Sequence, residues 1–115
     1  MSRIIEMLLY KLKPGTGGEF FSIMQDVSVP LHRQHDIDVV WHGQSMHDPD
    51  CYGLIRCFDD TASLENSQSR FYASDAWRSG PRETIIARIE TATKIVVPMN
   101  DEGIDGLRKQ GFFRS

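Results

Sequence analysis

The 115-residue sequence lacks several features that would assign it to a common functional class. No apolar run approaches the roughly 20 residues that a helix needs to cross a bilayer. Thirteen Lys and Arg are outnumbered by sixteen Asp and Glu, and the net charge of −3 does not provide the basic surface that binds a phosphate backbone. We therefore expect one soluble globular protein with neither a nucleic acid nor a membrane as its partner.

Cysteine is scarce as well, which bears on the cellular compartment. The two cysteines, Cys51 and Cys57, lie in one predicted strand at a separation of roughly 20 Å, too far apart for a disulfide. Glu6 and Lys11 interrupt the apolar residues near the start of the sequence, so no signal peptide is predicted. Free thiols and the missing export signal predict a cytoplasmic protein.

Motifs for phosphate, nucleophilic serine and metal are also missing. The glycine-rich segment at 15–18 lacks the lysine and spacing of a P-loop, and no Gly-x-Ser-x-Gly sequence occurs. His32 and His35 are three positions apart, but no carboxylate or cysteine is placed to complete a metal site. The dipole at a helix C-terminus explains both histidines without a metal. We expect no metal and no cofactor.

Hydrophobic periodicity predicts the order strand, helix, strand, strand, helix, strand. The predicted strands are 3–13, 37–46, 51–58 and 91–98, and the predicted helices are 17–34 and an interrupted stretch over 61–89. The three-residue spacing of Thr16 and Glu19 predicts a capping box at the start of the first helix. Pro30 has no backbone N–H, so we expect a kink or an early helix end there. The order predicts an α+β, ferredoxin-like βαββαβ domain over residues 1–98, a four-stranded antiparallel sheet with both helices on one face. Residues 99–115 are predicted to be a C-terminal tail without regular structure.

Both faces of the predicted sheet are apolar, although two helices can cover only one. In the first strand Ile5, Met7 and Leu9 alternate with Ile4, Leu8 and Leu12. Burial of each such side chain contributes about 1.5–3 kcal/mol, and several together exceed an association cost of about 4–15 kcal/mol. We therefore expect a homodimer in which one open sheet face packs on the other.

Several short motifs, in their order and spacing, resemble the NIPSNAP-like family of the dimeric α/β-barrel superfamily. They are Ile-Glu-Met-Leu-Leu-Tyr-Lys-Leu-Lys-Pro-Gly at 5–15, Arg-Gln-His-Asp-Ile at 33–37, Arg-Cys-Phe-Asp-Asp-Thr-Ala-Ser-Leu-Glu at 56–65 and Ser-Asp-Ala-Trp at 74–77. The resemblance implies a dimeric α/β barrel and a mostly uncharacterised activity. The wider superfamily includes cofactorless monooxygenases, haem-degrading enzymes, dehydratases and decarboxylases, which use the space between the two sheets. This chain has Leu8 where the family often has arginine, which argues against an activity that needs a charge there.

Alternate strand residues would line a cavity between the two sheets. Glu6 shares a face with Tyr10 among apolar neighbours, where desolvation suits a general acid or base; the alternative is a structural ion pair with Arg56 or Lys94. Trp41 and His42 are consecutive, so only one of them points into the cavity. His42 suits proton transfer, whereas Trp41 suits an apolar wall.

The sequence therefore predicts a protein that binds or processes a small apolar or partly polar molecule in the cavity of the dimer. We predict Glu6 and His42 as catalytic residues. The predicted ligand-binding residues are Tyr10, Trp41, Gln44, Tyr52 and Arg56. If the protein is an enzyme, cofactorless oxygenation or proton transfer is the expected class. The alternative is a non-catalytic assembly or stress-associated module whose dimer interior is filled by side chains.

Overall fold

Four antiparallel strands form a single sheet. The computed structural model describes residues 2–112, with side chains through residue 109. The strands are β1 (Ser2–Leu12), β2 (Asp38–Gln44), β3 (Cys51–Phe58) and β4 (Ile89–Asn100). Their spatial order is β2-β3-β1-β4, with every neighbouring pair antiparallel. This is the order of a ferredoxin-like sheet, so the predicted fold class is confirmed.

Two helical stretches cover one face of the sheet, as predicted. The first contains α1 (Gly17–Ile23), a π-helical segment (Met24–Ser28) and α2 (Val29–Gln34). The second contains α3 (Thr61–Ala73), α4 (Asp75–Arg78) and α5 (Arg82–Ile86). Asp60 and Ser74 cap α3 and α4 with their side chains, because each accepts a backbone N–H in the first turn of its helix.

The π-helical segment explains how the first stretch accommodates Pro30. The Val29 N–H donates to the Met24 carbonyl, five residues earlier, which widens the helix by one residue at this turn. Proline has no N–H with which to continue the ordinary four-residue pattern. The helix therefore passes through Pro30 and ends at Gln34 instead of breaking.

The predicted capping box of α1 is wrong. The Thr16 hydroxyl donates to the Lys13 carbonyl, and no side chain of α1 caps the helix. The Asp50 carboxylate, from the β2–β3 turn, instead accepts the N–H groups of Gly15 and Gly17 at 3.0 and 2.9 Å. A Cβ at Gly17 would lie 1.9 Å from the Pro49 carbonyl oxygen, so only glycine permits this close approach.

The tail predicted to lack regular structure contains a helix, α6 (Asp101–Phe112), so that prediction is wrong. α6 packs on the sheet face opposite the other helices, where Ile104 is 0% exposed. It covers four buried side chains of the sheet: Ile5, Val40, Ile55 and Cys57. Arg108 forms a two-bond salt bridge with Asp38 of β2, which fixes the helix to the sheet edge.

Part of the second sheet face remains uncovered by α6. Met7, Leu9 and Ile95 are 39, 59 and 56% exposed on it. Trp41 lies on the same face above two directly paired glycines, Gly43 and Gly53, and a Cβ at either would lie 3.1 Å from its ring. The face that was expected to be fully open is therefore reduced to an apolar strip, which we define as Met7, Leu9, Trp41 and Ile95.

Two further sequence predictions can be compared with this structure. Cys51 and Cys57 are both free thiols, as expected. Within the described residues, no helix combines the length and the apolar composition that a bilayer-spanning helix needs.

Candidate functional site

A buried ion pair joins the two central strands beneath the helices. Glu6 of β1 and Arg56 of β3 occupy directly opposed positions and are 0 and 2% exposed. The Arg56 Nε donates to Glu6 Oε1 at 2.8 Å, and Nη2 lies 2.5 Å from the same oxygen. Glu6 Oε2 accepts from Gln68 Nε2 at 2.8 Å and lies 3.7 Å from Lys94 Nζ. The structural alternative for Glu6, an ion pair with Arg56 or Lys94, is confirmed.

The remaining donors of Arg56 connect this pair to two helices. Its Nη1 donates to the Tyr72 hydroxyl at 2.7 Å and to His32 Nε2 at 3.1 Å. Since guanidinium groups only donate, Nε2 of His32 must accept, and Nδ1 must carry the proton that bonds the Ser28 carbonyl at 2.7 Å. His32 is therefore neutral, and both of its ring nitrogens are occupied. We call Glu6, Arg56, His32, Tyr72 and Gln68 the buried network.

Burial lowers the pKa of His32 to about 4; the Ser28 hydrogen bond opposes this shift and the charge of Arg56 adds to it. The unfolded chain titrates this group near pH 6.5, so it binds a proton that the folded chain does not. The free energy of unfolding should therefore fall as pH falls, by roughly 2 kcal/mol between pH 7.5 and pH 5 from this residue. Urea unfolding of the wild type and of His32→Gln at both pH values measures this change in the free energy of unfolding.

His42, whose pKa burial also lowers, contributes to the loss of stability in the same direction, so the comparison with His32→Gln isolates the His32 part. His47 is exposed, and His47→Gln serves as the matched control for replacing a histidine with glutamine. An unchanged pH dependence in His32→Gln would show that His32 is not held neutral in the folded chain.

A cavity of about 650 Å³ opens beside the buried network. It lies on the helix-covered side of the sheet, between β1, the start of β4 and helices α3 to α5. Its apolar wall is formed by Trp77, Ile85, Ile86 and Ile89. Its lining residues with polar side chains are Tyr10, Tyr72, Arg78 and Arg82.

The two tyrosines give this cavity hydrogen-bond donors. Tyr72 accepts from Arg56, so its own proton remains to be donated. The Tyr10 hydroxyl has no hydrogen-bond partner among the described residues, and burial raises the pKa of Tyr10, which keeps it a neutral phenol. Tyr10 is also packed edge-on against Phe20, which fixes the orientation of its ring.

Solved structures share this architecture, whereas comparisons with protein-family models and with curated proteins find no match. An uncharacterized NIPSNAP domain protein from Burkholderia xenovorans aligns with a TM-score of 0.74 and 18% identity, over 85% of this chain and 95% of its own. A NIPSNAP family protein of unknown function from Agrobacterium tumefaciens aligns with a TM-score of 0.77 and 20% identity, over 84% of this chain and 87% of its own. The chain has the NIPSNAP-like fold.

The same fold extends to a more distant relative. A candidate antibiotic biosynthesis monooxygenase from Bacteroides thetaiotaomicron aligns with a TM-score of 0.63 and 10% identity, over 83% of this chain and 87% of its own. The resemblance inferred from the sequence motifs is thus confirmed at the level of the NIPSNAP-like fold and its ferredoxin-like relatives.

The NIPSNAP-like fold places the predicted site residues differently from the sequence expectation. Glu6, Tyr10, His42 and Arg56 all lie on the helix-covered face of the sheet, and not in a space between two sheets. The shared face of Glu6 and Tyr10 was predicted correctly, but it was expected to be the open face; for His42 the sequence left the face undecided. Both faces of β1 are apolar, so alternation alone does not show which of them the helices cover.

Only Tyr10 of the predicted residues lines the cavity. His42, at the far edge on β2, is hydrogen-bonded through Nδ1 to the Tyr52 hydroxyl at 2.5 Å and stacked on Phe21. Gln44 donates to the Pro49 carbonyl at 3.1 Å and thereby braces the hairpin turn. Of the consecutive residues Trp41 and His42, His42 faces the helices and Trp41 lies on the opposite face of the sheet. A register shift between Val39 and Trp41 determines this arrangement.

Sequence reasoning missed most of the cavity wall. The missed residues come from the segment between β3 and the start of β4, where no known motif marks a ligand site: Tyr72 in α3, Arg78 in α4, Arg82, Ile85 and Ile86 in α5, and Ile89 at the start of β4. Trp77, the last residue of the Ser-Asp-Ala-Trp motif, packs against Phe71 and Tyr72, with ring centroids 5.5 and 5.1 Å apart. One feature of the sequence does indicate this wall: between residues 72 and 89, arginines alternate with aromatic and aliphatic residues.

The described residues contain one group of three possible metal ligands, His47, Asp48 and Cys51, at the β2–β3 turn. Turn hydrogen bonds account for their proximity. The Asp48 carboxylate accepts the Asp50 N–H at 2.9 Å and the Cys51 thiol at 3.7 Å, and His47 Nδ1 is 2.5 Å from the Ser45 hydroxyl. We assign no metal to this turn of the NIPSNAP-like fold.

Proposed function

We propose that the chain binds a small, largely apolar molecule in the cavity between its own sheet and helices. The observation that supports this proposal is a cavity of about 650 Å³, a volume typical of sites that enclose small molecules. Its walls combine one aromatic and three aliphatic side chains with a few polar groups that would orient a ligand. The proposed site lies within a single chain.

Binding is favoured over acid–base catalysis because of where the predicted catalytic residues lie. Glu6 is held by Arg56, Gln68 and Lys94, and His42 is held by Tyr52; neither residue lines the cavity. Their catalytic roles stay predictions, and the proposed binding function does not depend on them.

The two tryptophans lie on opposite faces of the sheet and provide an internal test of this proposal. Titration with 1-naphthylmethanol, a neutral aromatic probe, should shift the indole N–H resonance of Trp77 in ¹H–¹⁵N spectra and leave that of Trp41 in place. Trp77 lines the cavity, whereas Trp41 lies on the other face. The variant Trp41→Phe assigns the two signals.

Ile89→Trp fills the cavity and should weaken binding of the probe at least tenfold, because the added ring occupies the ligand volume. The matched control Ile95→Trp adds the same ring on the other sheet face and should leave the affinity unchanged. Shifts confined to Trp41, or no saturable shift at all, would contradict the cavity as the binding site.

We propose further that two copies pair through the apolar strip. The strip leaves large apolar side chains exposed on one face, and a second copy related by a two-fold axis would bury the same residues from both sides. Helix α6 borders the strip and would lie at the rim of such an interface.

Sedimentation equilibrium at micromolar concentration is expected to give twice the chain mass of 13.1 kDa. Leu9→Lys, which places a charge in the strip, should shift the protein to single chains without unfolding it, since Leu9 is 59% exposed. Val27→Lys places the same charge on α1–α2's exposed side and should leave the mass unchanged. A wild-type protein that sediments as a single chain would refute the pairing.

A further inference from the structure

The polar side chains that line the cavity are two tyrosines, whose hydroxyls can donate and accept, and two arginines, which only donate. Tyr72 has its oxygen occupied by Arg56, Tyr10 is kept a neutral phenol, and Arg78 and Arg82 carry only N–H groups. The wall contains no carboxylate and no side-chain amide. A ligand that satisfies this wall must therefore bring acceptors.

Arg78 and Arg82 also lack compensating charge. Within the described side chains, neither guanidinium has a salt bridge or a hydrogen bond, whereas Arg3, Arg56, Arg88 and Arg108 are each paired with a carboxylate. Both side chains are exposed and line the same cavity, so an anion bound there would meet two unpaired guanidinium groups. The planar guanidinium fork matches the two oxygens of a carboxylate.

The apolar part of the cavity limits the rest of the ligand. Trp77 is 7% exposed and Ile85 is 5% exposed, whereas Ile86 is 49% exposed, so the cavity has a buried apolar floor beside the two arginines and opens to solvent on one side. A small inorganic anion would leave the apolar side chains of the cavity in contact with water. An aromatic or branched aliphatic body with one acidic group fills both parts.

We propose that the cavity selects amphipathic carboxylates, with Arg78 and Arg82 binding the carboxylate and Trp77 with the isoleucines binding the apolar body. This inference rests on the proposed function, because it specifies the ligand of the same cavity. The two tyrosine hydroxyls provide further donors to the acidic group or to an acceptor on the body.

The test compares 1-naphthoate with 1-naphthylmethanol, which share one ring system and differ in charge. Calorimetric titration of the wild type should show about tenfold tighter binding of the carboxylate. The double variant Arg78→Gln/Arg82→Gln should bind both probes equally. Both arginines are exposed, so the variant should keep the fold, and its circular dichroism spectrum checks this.

The control variant Arg33→Gln/Arg70→Gln removes the same charge from exposed helix positions away from the cavity and should keep the tenfold preference. Equal affinity of the wild type for both probes, or a preference that survives in Arg78→Gln/Arg82→Gln, would overturn the carboxylate proposal while leaving cavity binding intact. Failure of both probes to bind at millimolar concentration would overturn the proposed function itself.

Discussion

Replacing Arg56 with methionine is expected to lower the free energy of unfolding by about 3–5 kcal/mol, the largest effect of any single change considered in this chain. Glu6 is 0% exposed and would lose its two contacts with the guanidinium. Lys94 is more than half exposed and 3.7 Å away, so it compensates poorly. His32 Nε2 would also lose its donor. Urea denaturation followed by circular dichroism at pH 7 measures the change.

The double variant Glu6→Leu/Arg56→Met separates the cost of an unpaired buried charge from the contribution of the ion pair. It removes both charges, so no ion remains desolvated in the core and part of the lost stability should return; the rest stays lost because His32 and Gln68 still lack their partners. Arg108→Met breaks the half-exposed pair with Asp38 and should cost less than about 1 kcal/mol, which serves as the control for losing an arginine. A double variant as unstable as Arg56→Met would show that the pair stabilises the fold beyond compensating its own burial.

Ile104→Ala should lower the free energy of unfolding by about 2–5 kcal/mol. Ile104 is 0% exposed in the cluster with Ile5, Val40, Ile55 and Cys57, and removing its side chain leaves a void between α6 and the sheet. Thermal and urea unfolding measure the effect.

Val27→Ala is the matched control for this substitution, because Val27 is a branched helix residue that is 46% exposed, and it should change stability by less than about 0.5 kcal/mol. A loss below 1 kcal/mol for Ile104→Ala would mean that α6 contributes little to the folded state.

The sheet and its covering helices could be predicted because each carried a local signal. Strand β3 was predicted with its observed bounds, since turn residues precede it at Asp48 to Asp50 and a capping aspartate follows it at Asp60. The helical stretch over 61–89 was expected to be interrupted, and Ser74 and Gly80-Pro81 are the residues that carry this signal. These signals act over a few residues, so the sequence contains them in full.

Helix α6 could not be predicted from propensity. Gly103 and Gly106 each disfavour a helix, so its stability must come from tertiary contacts. Ile104 and Leu107 pack on the sheet, and Arg108 pairs with Asp38, seventy positions earlier in the chain. The local signals were weak: Asn100, which accepts the Gly103 N–H at 2.8 Å as a helix cap, and the three-residue spacing of the two apolar residues.

The site was predictable in its pairings but not in its position. The ion pair of Glu6 and Arg56 could be predicted because neighbouring strands place a buried carboxylate beside a guanidinium group. The structure confirms this ion pair. The cavity depends on how α3, α4 and α5 fold back on β1 and β4, which no strand pattern encodes. Tyr10 was predicted to line a cavity between two sheets, and it lines a cavity on the helix-covered face instead.

The carboxylate of Asp50 has a consequence for how the chain acquires its structure. Gly17, the first residue of α1, donates its N–H to this carboxylate 33 positions away, beyond an entire hairpin strand. Until the β2–β3 turn is closed, the backbone amides at Gly15 and Gly17 have only water as partners, so the start of that helix and the closure of the hairpin are one cooperative event. An isolated peptide of residues 14–36 would accordingly fray at its beginning.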